Sequence, residues 1–276
     1  MNKIMLRFLV SIIILFYSEL LVAQDTLCKF PNYTFKVGEN VTYRAYYNWK
    51  FIWLNAGDVF FSVKDTVYQN KESFHFISKG WSLKEYDWFF KVRDSFESIV
   101  AKDGFKPLWF LRDTEEGGFK TYNRYDFNHT NSQVNIVSYT SKRAYKEDIK
   151  SIKPCAFDVL SAIYFCRNID FDRYKIGDKI PLTMVIDNDV FNLFVRYLGK
   201  EDLKLHKDTK TYSTIKFSVM LVEGTIFKGG EDMTIWVTND GNRVPLMVEA
   251  KILIGSVKAI ITGAEGLVNK SILNNQ

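Results

Sequence analysis

Three cysteines, three histidines and five prolines are all that this 276-residue chain contains of those residues. Each scarcity excludes something. With only His75, His129 and His206, no HExxH, CxxC or paired-histidine spacing occurs, so a zinc centre is not expected. There is no G-x-S-x-G elbow, no G-x-G-x-x-G and no P-loop, which removes the commonest hydrolase, dinucleotide and nucleotide signatures. Few prolines leave long segments free to pair as strands. A formal net charge of +5, from 37 basic and 32 acidic residues, is too balanced for a dedicated nucleic-acid binder. The most basic cluster, Lys142, Arg143, Lys146, Lys150 and Lys153, is diluted by Glu147 and Asp148. It reads as a solvated connector, with a patch for an anionic surface as the alternative.

Long apolar runs are missing too, except at the N-terminus. There Lys3 and Arg7 precede an apolar core from Phe8 to Phe16, extended by Leu20 to Ala23. This is the layout of a signal peptide over residues 1–23, cleaved before Gln24. An uncleaved anchor helix is the alternative. The expectation is an exported, soluble protein with no further membrane span. Cys28 lacks the small residues that a lipidation site requires before it. In an oxidising compartment the cysteines become informative. Cys155 and Cys166 would sit roughly 16 Å apart on a helix, beyond the ~7 Å that a disulfide spans. Cys28 is left to pair with one of them or none; Cys155, at the start of the helix and the more accessible, is the expected partner, the alternative being three free thiols.

What is present is aromatic and alternating. Hydrophobic residues make up 47% and aromatics 16%, which excludes disorder and suits β-structure. From Asn40 to Trp53, apolar Val41, Tyr43, Ala45, Tyr47, Trp49, Phe51 and Trp53 share one parity, predicting a single long strand, with Asn55-Ala56-Gly57 as the turn after it. Further strands are expected at Ser73–Ser78, Trp88–Val100, Pro107–Arg112, Lys120–Phe127 and Val134–Tyr139. After the middle of the chain they resume at Ile180–Ile186, Phe191–Tyr197, Thr214–Leu221, Thr234–Thr238, Leu246–Ile254 and Val257–Thr262. Short turns at Asp103-Gly104, Glu115–Gly118, Asp187–Asp189 and Asn239–Gly241 imply antiparallel pairing. One strong helix stands out at Pro154–Arg167, apolar on several sides and so buried by more than one layer.

The two sides of that helix run in parallel. Gly38-Glu39 and Gly177-Asp178 are offset by 139, Phe90-Lys91 and Phe227-Lys228 by 137, and Asp103-Gly104 and Asp240-Gly241 by 137. Leu108 and Leu246, Gly117 and Gly255, and Lys120 and Lys258 are each offset by 138. The fold class expected is mainly β: two related antiparallel β halves, as curled sheets or partial barrels, joined by one buried α-helix. The divisions are 24–153, 154–170 and 171–276, and 37–127 should superpose on 176–262.

Tryptophan is unevenly spread, with Trp49, Trp53, Trp81, Trp88 and Trp109 before the helix and Trp236 after it. Tyr47, Trp49, Trp53, Trp81 and Trp88 are candidate walls of a ligand site, with core filling as the alternative. Asp158 and Arg167 fall on opposite faces of the helix and cannot pair with each other. With Asp240 and Arg243 they are expected to be structural, meeting partners where strands abut the helix.

Five marks group together: G-E-x-V-x-Y at Gly38–Tyr43, Ala56-Gly57, F-K-V-R-D at Phe90–Asp94, D-x-L-S-A-x-Y-x-x-R at Asp158–Arg167, and I-W-x-T-x-D-x-x-R-x-P at Ile235–Pro245. On these marks the chain resembles a family of exported Gram-negative envelope proteins known as the domain of unknown function numbered 3108. The resemblance covers nearly all of the chain after residue 23. It implies a secreted β-rich fold and no mechanism. Function classes that remain are a binding or carrier module for a lipophilic or glycan ligand, an assembly factor docking on an envelope protein, and a hydrolase built on scattered carboxylates. No cofactor is expected.

Overall fold

Alternation of side chains across a pleat accounts for most of the described chain. The computed structural model describes residues 33–49, 52–221, 230–251 and 256–274. They form fifteen strands: β1 Asn40–Trp49, β2 Ile52–Tyr68, β3 Lys71–Ser82, β4 Val92–Ala101, β5 Lys106–Glu116, β6 Phe119–Asn128, β7 Gln133–Thr140, β8 Arg143–Ser151, β9 Ala156–Phe157, β10 Lys179–Ile186, β11 Asp189–Lys204, β12 Thr211–Leu221, β13 Gly230–Thr238, β14 Pro245–Lys251 and β15 Ser256–Glu265. Two α-helices accompany them, the single turn α1 Asp87–Phe90 and the longer α2 Val159–Asn168.

All fifteen strands join one sheet in the order β8-β7-β6-β5-β4-β3-β2-β1-β15-β14-β13-β12-β11-β10-β9. Strands β1 to β8 form one antiparallel meander and β10 to β15 another, with the two-residue β9 added parallel to β10. The meanders meet where β1 pairs with β15, from Asn40 opposite Glu265 to Asn48 opposite Ser256. The sheet does not close into a barrel. It curls until its margins pass one another, β9 lying against β5 and β8 against β11.

Turn chemistry sets the hairpins. Gln69-Asn70, Gly117-Gly118 and Asp187-Asn188 each place two consecutive residues at positive φ, which matches the right-handed twist of the flanking strands. Between Trp49 and Ile52 the chain also reverses, because those two residues pair. The expected single strand from Asn40 to Trp53 is therefore two, and Asn55-Ala56-Gly57 lie inside β2 rather than in a turn. The alternating pattern runs straight across the reversal and hides it. The basic segment expected to be a connector is β8, an exposed edge strand; its lysines, glutamate and aspartate discourage further pairing at that margin.

Helix α2 lies inside the curl, against β3, β4, β9 and β10. It begins after Asp158, not at Pro154. Cys155 has φ +64° in a turn, and Ala156-Phe157 pair with Thr183-Met184 before the helix can start. Tyr164 stacks on Phe76 at 3.9 Å and meets Phe35 edge-on at 4.8 Å. Phe165 packs on Phe157 at 4.6 Å. One core runs from Phe74 and Phe110 of the first meander, through Leu160 and Phe165, to Leu182, Val195, Phe217 and Val237 of the second. A helix apolar on several sides thus covers both.

Candidate functional site

The five sequence marks gather in two places. The first is a buried knot at the C-terminal end of α2. Arg167 donates from Nη1 to Glu39 Oε1 at 2.5 Å and from Nη2 to Glu39 Oε2 at 2.9 Å. Its Nη2 also reaches the carbonyls of Thr34 and Asn242, at 3.1 and 3.0 Å. The guanidinium lies 5.4 Å from the Tyr164 ring centroid and 5.8 Å from that of Phe35. Burial works against the charge, and the Glu39 carboxylate more than offsets it, holding Arg167 above the usual guanidinium range. Arg243 donates to the carbonyls of Ile169 and Arg167, closing the helix end. Asp240 shapes the turn before β14, accepting from the Thr238 hydroxyl at 2.6 Å and the Asn242 amide at 2.9 Å. Burial opposes its charge, yet these donors keep its carboxyl below the usual range.

Asp158 caps the other end of α2. Its Oδ1 accepts from the Ser161 amide at 2.9 Å and its Oδ2 from the Ser98 hydroxyl of β4 at 2.8 Å. Among the described residues no cation faces it, and burial pushes it up to about 6 despite those donors.

The second place is the connection from β3 to β4. Arg93 grips Asp87, Nη2 to Oδ2 at 2.5 Å and Nη1 to Oδ1 at 3.1 Å. Ser82 donates to Asp87 at 2.5 Å and accepts from the Val92 amide at 2.9 Å. Below them Leu83 N–H reaches Ala56 O at 3.1 Å. Gly57 is required there, since a Cβ would stand 2.2 Å from the Trp81 carbonyl. Phe90 lies over the β5–β6 turn, where a Cβ on Gly117 would come within 2.6 Å of its ring. These polar clamps hold an apolar tip in solvent: Trp88 is 84% exposed, Phe89 78% and Phe90 50%.

Beside the tip runs a groove of about 500 Å³, lined by Lys79, Trp81, Arg93, Ser95, Asp113, Glu115 and Lys120, with Gly80, Asp94 and Thr114 between them. Strand register explains the lining. Trp81 pairs with Arg93, Arg93 with Glu115 and Glu115 with Lys120, so one row crosses four strands on one face. Trp81, 40% exposed, stands at its end. Asp94 points to the other face beside buried Thr114; its Oδ1 is buried without a partner. Burial pushes Asp94 up to about 7, Glu116 adding to the effect and Arg112 opposing it.

The expected aromatic wall is spread out. Trp53 is packed, stacked on the His206 imidazole at 4.2 Å with Lys258 Nζ 5.0 Å from its centroid. Tyr47 is half-buried in β1 and Trp49 ends that strand. Of the five, Trp81 lines the groove and Trp88 stands on the tip. Cys155 is disulfide-bonded and Cys166 is free and buried; Cys28 and residues 1–23, expected to be a signal peptide, lie outside the described residues. Asp87 and Ser82 were not singled out from sequence, although the F-K-V-R-D mark, which ends at Asp94, lies beside them. Among the described residues no helix is long and apolar enough to cross a membrane.

A β-barrel-like protein of the domain of unknown function DUF1849 from Brucella abortus shares 8% identity, with a TM-score of 0.53 over 85% of this chain and 99% of that one. A protein with a YmcC-like fold from Bacteroides fragilis shares 9% identity over 85% and 98%, with a TM-score of 0.27. The Brucella likeness concerns fold alone. No curated protein matches the chain. The family model DUF3108, a protein of unknown function, matches residues 42–262. That span runs from β1 into β15 and takes in the helix, the braced tip and the knot apart from Thr34, Phe35 and Glu39: the chain belongs to the DUF3108 family of proteins of unknown function.

Proposed function

We propose that the protein is a non-catalytic binding module of the cell envelope, exported by the segment 1–23, whose ligand is a glycan held in the groove over Trp81. The observation that carries this reading is the exposed Trp81 ring at the head of the Arg93–Glu115–Lys120 row. A lipophilic ligand would strip water from five charged side chains without repaying them. A polyol repays them, because each hydroxyl both donates and accepts, while the apolar face of a sugar ring covers an indole. The inside of the curl, by contrast, carries α2 and close-packed rings.

Duplication of the two β halves belongs to the same proposal. At the start of β1, Gly38 N–H reaches Val63 O, Val63 N–H reaches Glu39 O and Glu39 N–H reaches Lys36 O. At the start of β10 the same three bonds recur among Gly177, Tyr197, Asp178 and Lys175. The landmarks Phe227-Lys228 and Gly255 lie outside the described residues. Two halves that share this hydrogen-bond pattern, with the groove over Trp81 on the first of them, fit a duplicated scaffold in which the first copy took on the binding role.

The test is titration of neutral and acidic oligosaccharides against the wild-type protein and Trp81→Ala, followed by ligand-observed NMR. Binding by the wild type that weakens about tenfold or more in Trp81→Ala, near 1.4 kcal/mol, with an unchanged melting temperature, supports the reading. No oligosaccharide binding, or binding indifferent to Trp81, overturns it.

A further inference from the structure

We infer that the β3–β4 tip is a docking element for an anionic lipid bilayer. Its rings would enter the headgroup region and the surrounding lysines would meet lipid phosphates. Three observations carry this.

The first is where the exposed aromatics are. Trp88, Phe89 and Phe90 form the tip, and the other exposed aromatic side chains among the described residues are Trp81, Phe119, Tyr139 and Tyr145. Trp81 ends β3, Phe119 opens β6, and Tyr139 and Tyr145 flank the β7–β8 turn. In a meander, alternate turns fall at the same end of the sheet, so all seven lie at or near one end. The turns at the opposite end of the same strands, Gln69-Asn70, Lys102–Gly104 and Asn128–Ser132, are polar. Trp, Tyr and Phe side chains gathered at one end of the sheet are the composition that a membrane–water interface favours.

The second is charge. Asp87, Glu115 and Glu116 at this end are held by Arg93, Lys91 and Arg112. Lys84, Lys120, Lys142 and Arg143 have no ion-pair partner among the described residues, against Glu85 at the tip and Asp113 in the groove beside it. Lys142 Nζ hangs 5.9 Å from the Phe119 centroid. Free cations around exposed rings complement phosphates and are wrong for a neutral apolar protein groove.

The third is rigidity of the base. Arg93, Asp87 and Ser82 fix the connection from both sides, and Gly57 and Gly117 make room for it. An apolar tip left unbraced would fold back over the nearest strand. Here polar bonds keep it extended, so the ordering cost of insertion is already met.

The experiment is co-sedimentation of the full chain with vesicles of phosphatidylcholine, with and without phosphatidylglycerol, for the wild type and for a Trp88→Ser/Phe89→Ser variant prepared by the same route. Both positions are solvent-exposed, so melting temperature should not change. The wild type should bind the anionic vesicles, more weakly as salt is raised. The variant should bind about tenfold less or worse, and the Trp88 emission should shift to the blue on binding. Equal binding by wild type and variant, no binding to anionic vesicles, or concentration-dependent self-association that needs Trp88 in place of vesicle binding would each overturn the inference. The last outcome would assign the tip to a protein contact. Since Trp81 and not Trp88 carries the glycan reading, the two can fail separately.

Discussion

Replacing Arg167 with methionine removes the one cation that faces Glu39, whose side chain is 1% exposed. Loss of one member of a buried pair costs about 3–5 kcal/mol, because the other charge is left without water or partner. Arg167 also satisfies the Thr34 and Asn242 carbonyls, which would be orphaned together with it at a further ~1–3 kcal/mol. Glu39→Leu is the milder change. It leaves Arg167 with those two carbonyls and with the faces of Tyr164 and Phe35. For a chain of this size each kcal/mol moves the melting temperature by about 2–4 °C. Arg167→Met should therefore lower it by roughly 10 °C or more, and Glu39→Leu by less. The double variant should lose less than the sum by about 2–3 kcal/mol, since neither charge is then stranded. Urea unfolding followed by circular dichroism measures all three, provided the slope with denaturant is unchanged. A cost below ~1 kcal/mol for Arg167→Met, an additive double variant, or a larger loss for Glu39→Leu would refute the reasoning.

At Asp158 the charge has no cation, so Asp158→Asn should keep the cap through its carbonyl oxygen while Asp158→Ala should lose about 1 kcal/mol for the cap and more for the orphaned Ser98 hydroxyl. Its folded pKa, near 6, is raised from 3.8, so the wild type is favoured below pH 4 and loses that stability as pH rises through 6. Asp158→Asn should escape the loss, gaining up to ~3 kcal/mol relative to wild type at pH 8. Midpoints in urea from pH 4 to 8 check this, and Asp94, pushed to about 7, adds the same slope to both proteins. Non-reducing peptide mapping should find Cys28 joined to Cys155. Cys166, whose thiol burial pushes up to about 12, should alkylate only on unfolding. Gly57→Ala should cost about 1–3 kcal/mol by forcing β2 away from the Trp81 carbonyl, measurable as a lowered melting temperature.

Turns whose chemistry is local were legible. Gly117-Gly118 and Asp187-Asn188 name their own backbone geometry, and a mainly antiparallel β fold around one buried helix follows from the patterning between them. The reversal between Trp49 and Ile52 was hidden because the alternating sequence continues through it. β8 was hidden because an edge strand guarded by charges has the composition of a loop. Asp158 and Arg167 declare themselves as charges on an apolar helix, but nothing local reveals that the partner of Arg167 is Glu39, 128 residues away. Aromatic patterning fails differently. Asp87-Trp88-Phe89-Phe90 reads like core sequence, and the clamp of Arg93 and Ser82 on Asp87 is what holds it outward.

The pairing of β1 with β15 has a consequence in time. Each meander can form by zipping neighbouring hairpins, a local and rapid process. The seam between them cannot exist until the last strand of the chain has been made. Until then β1 presents an unpaired edge with Tyr43, Ala45 and Tyr47 along it, open to any strand that meets it first. Removing β15 by truncation would leave that edge open permanently, so a shortened chain should form strand-mediated dimers or aggregates rather than a smaller version of the same molecule. The strand completed last is the one that makes the first strand safe.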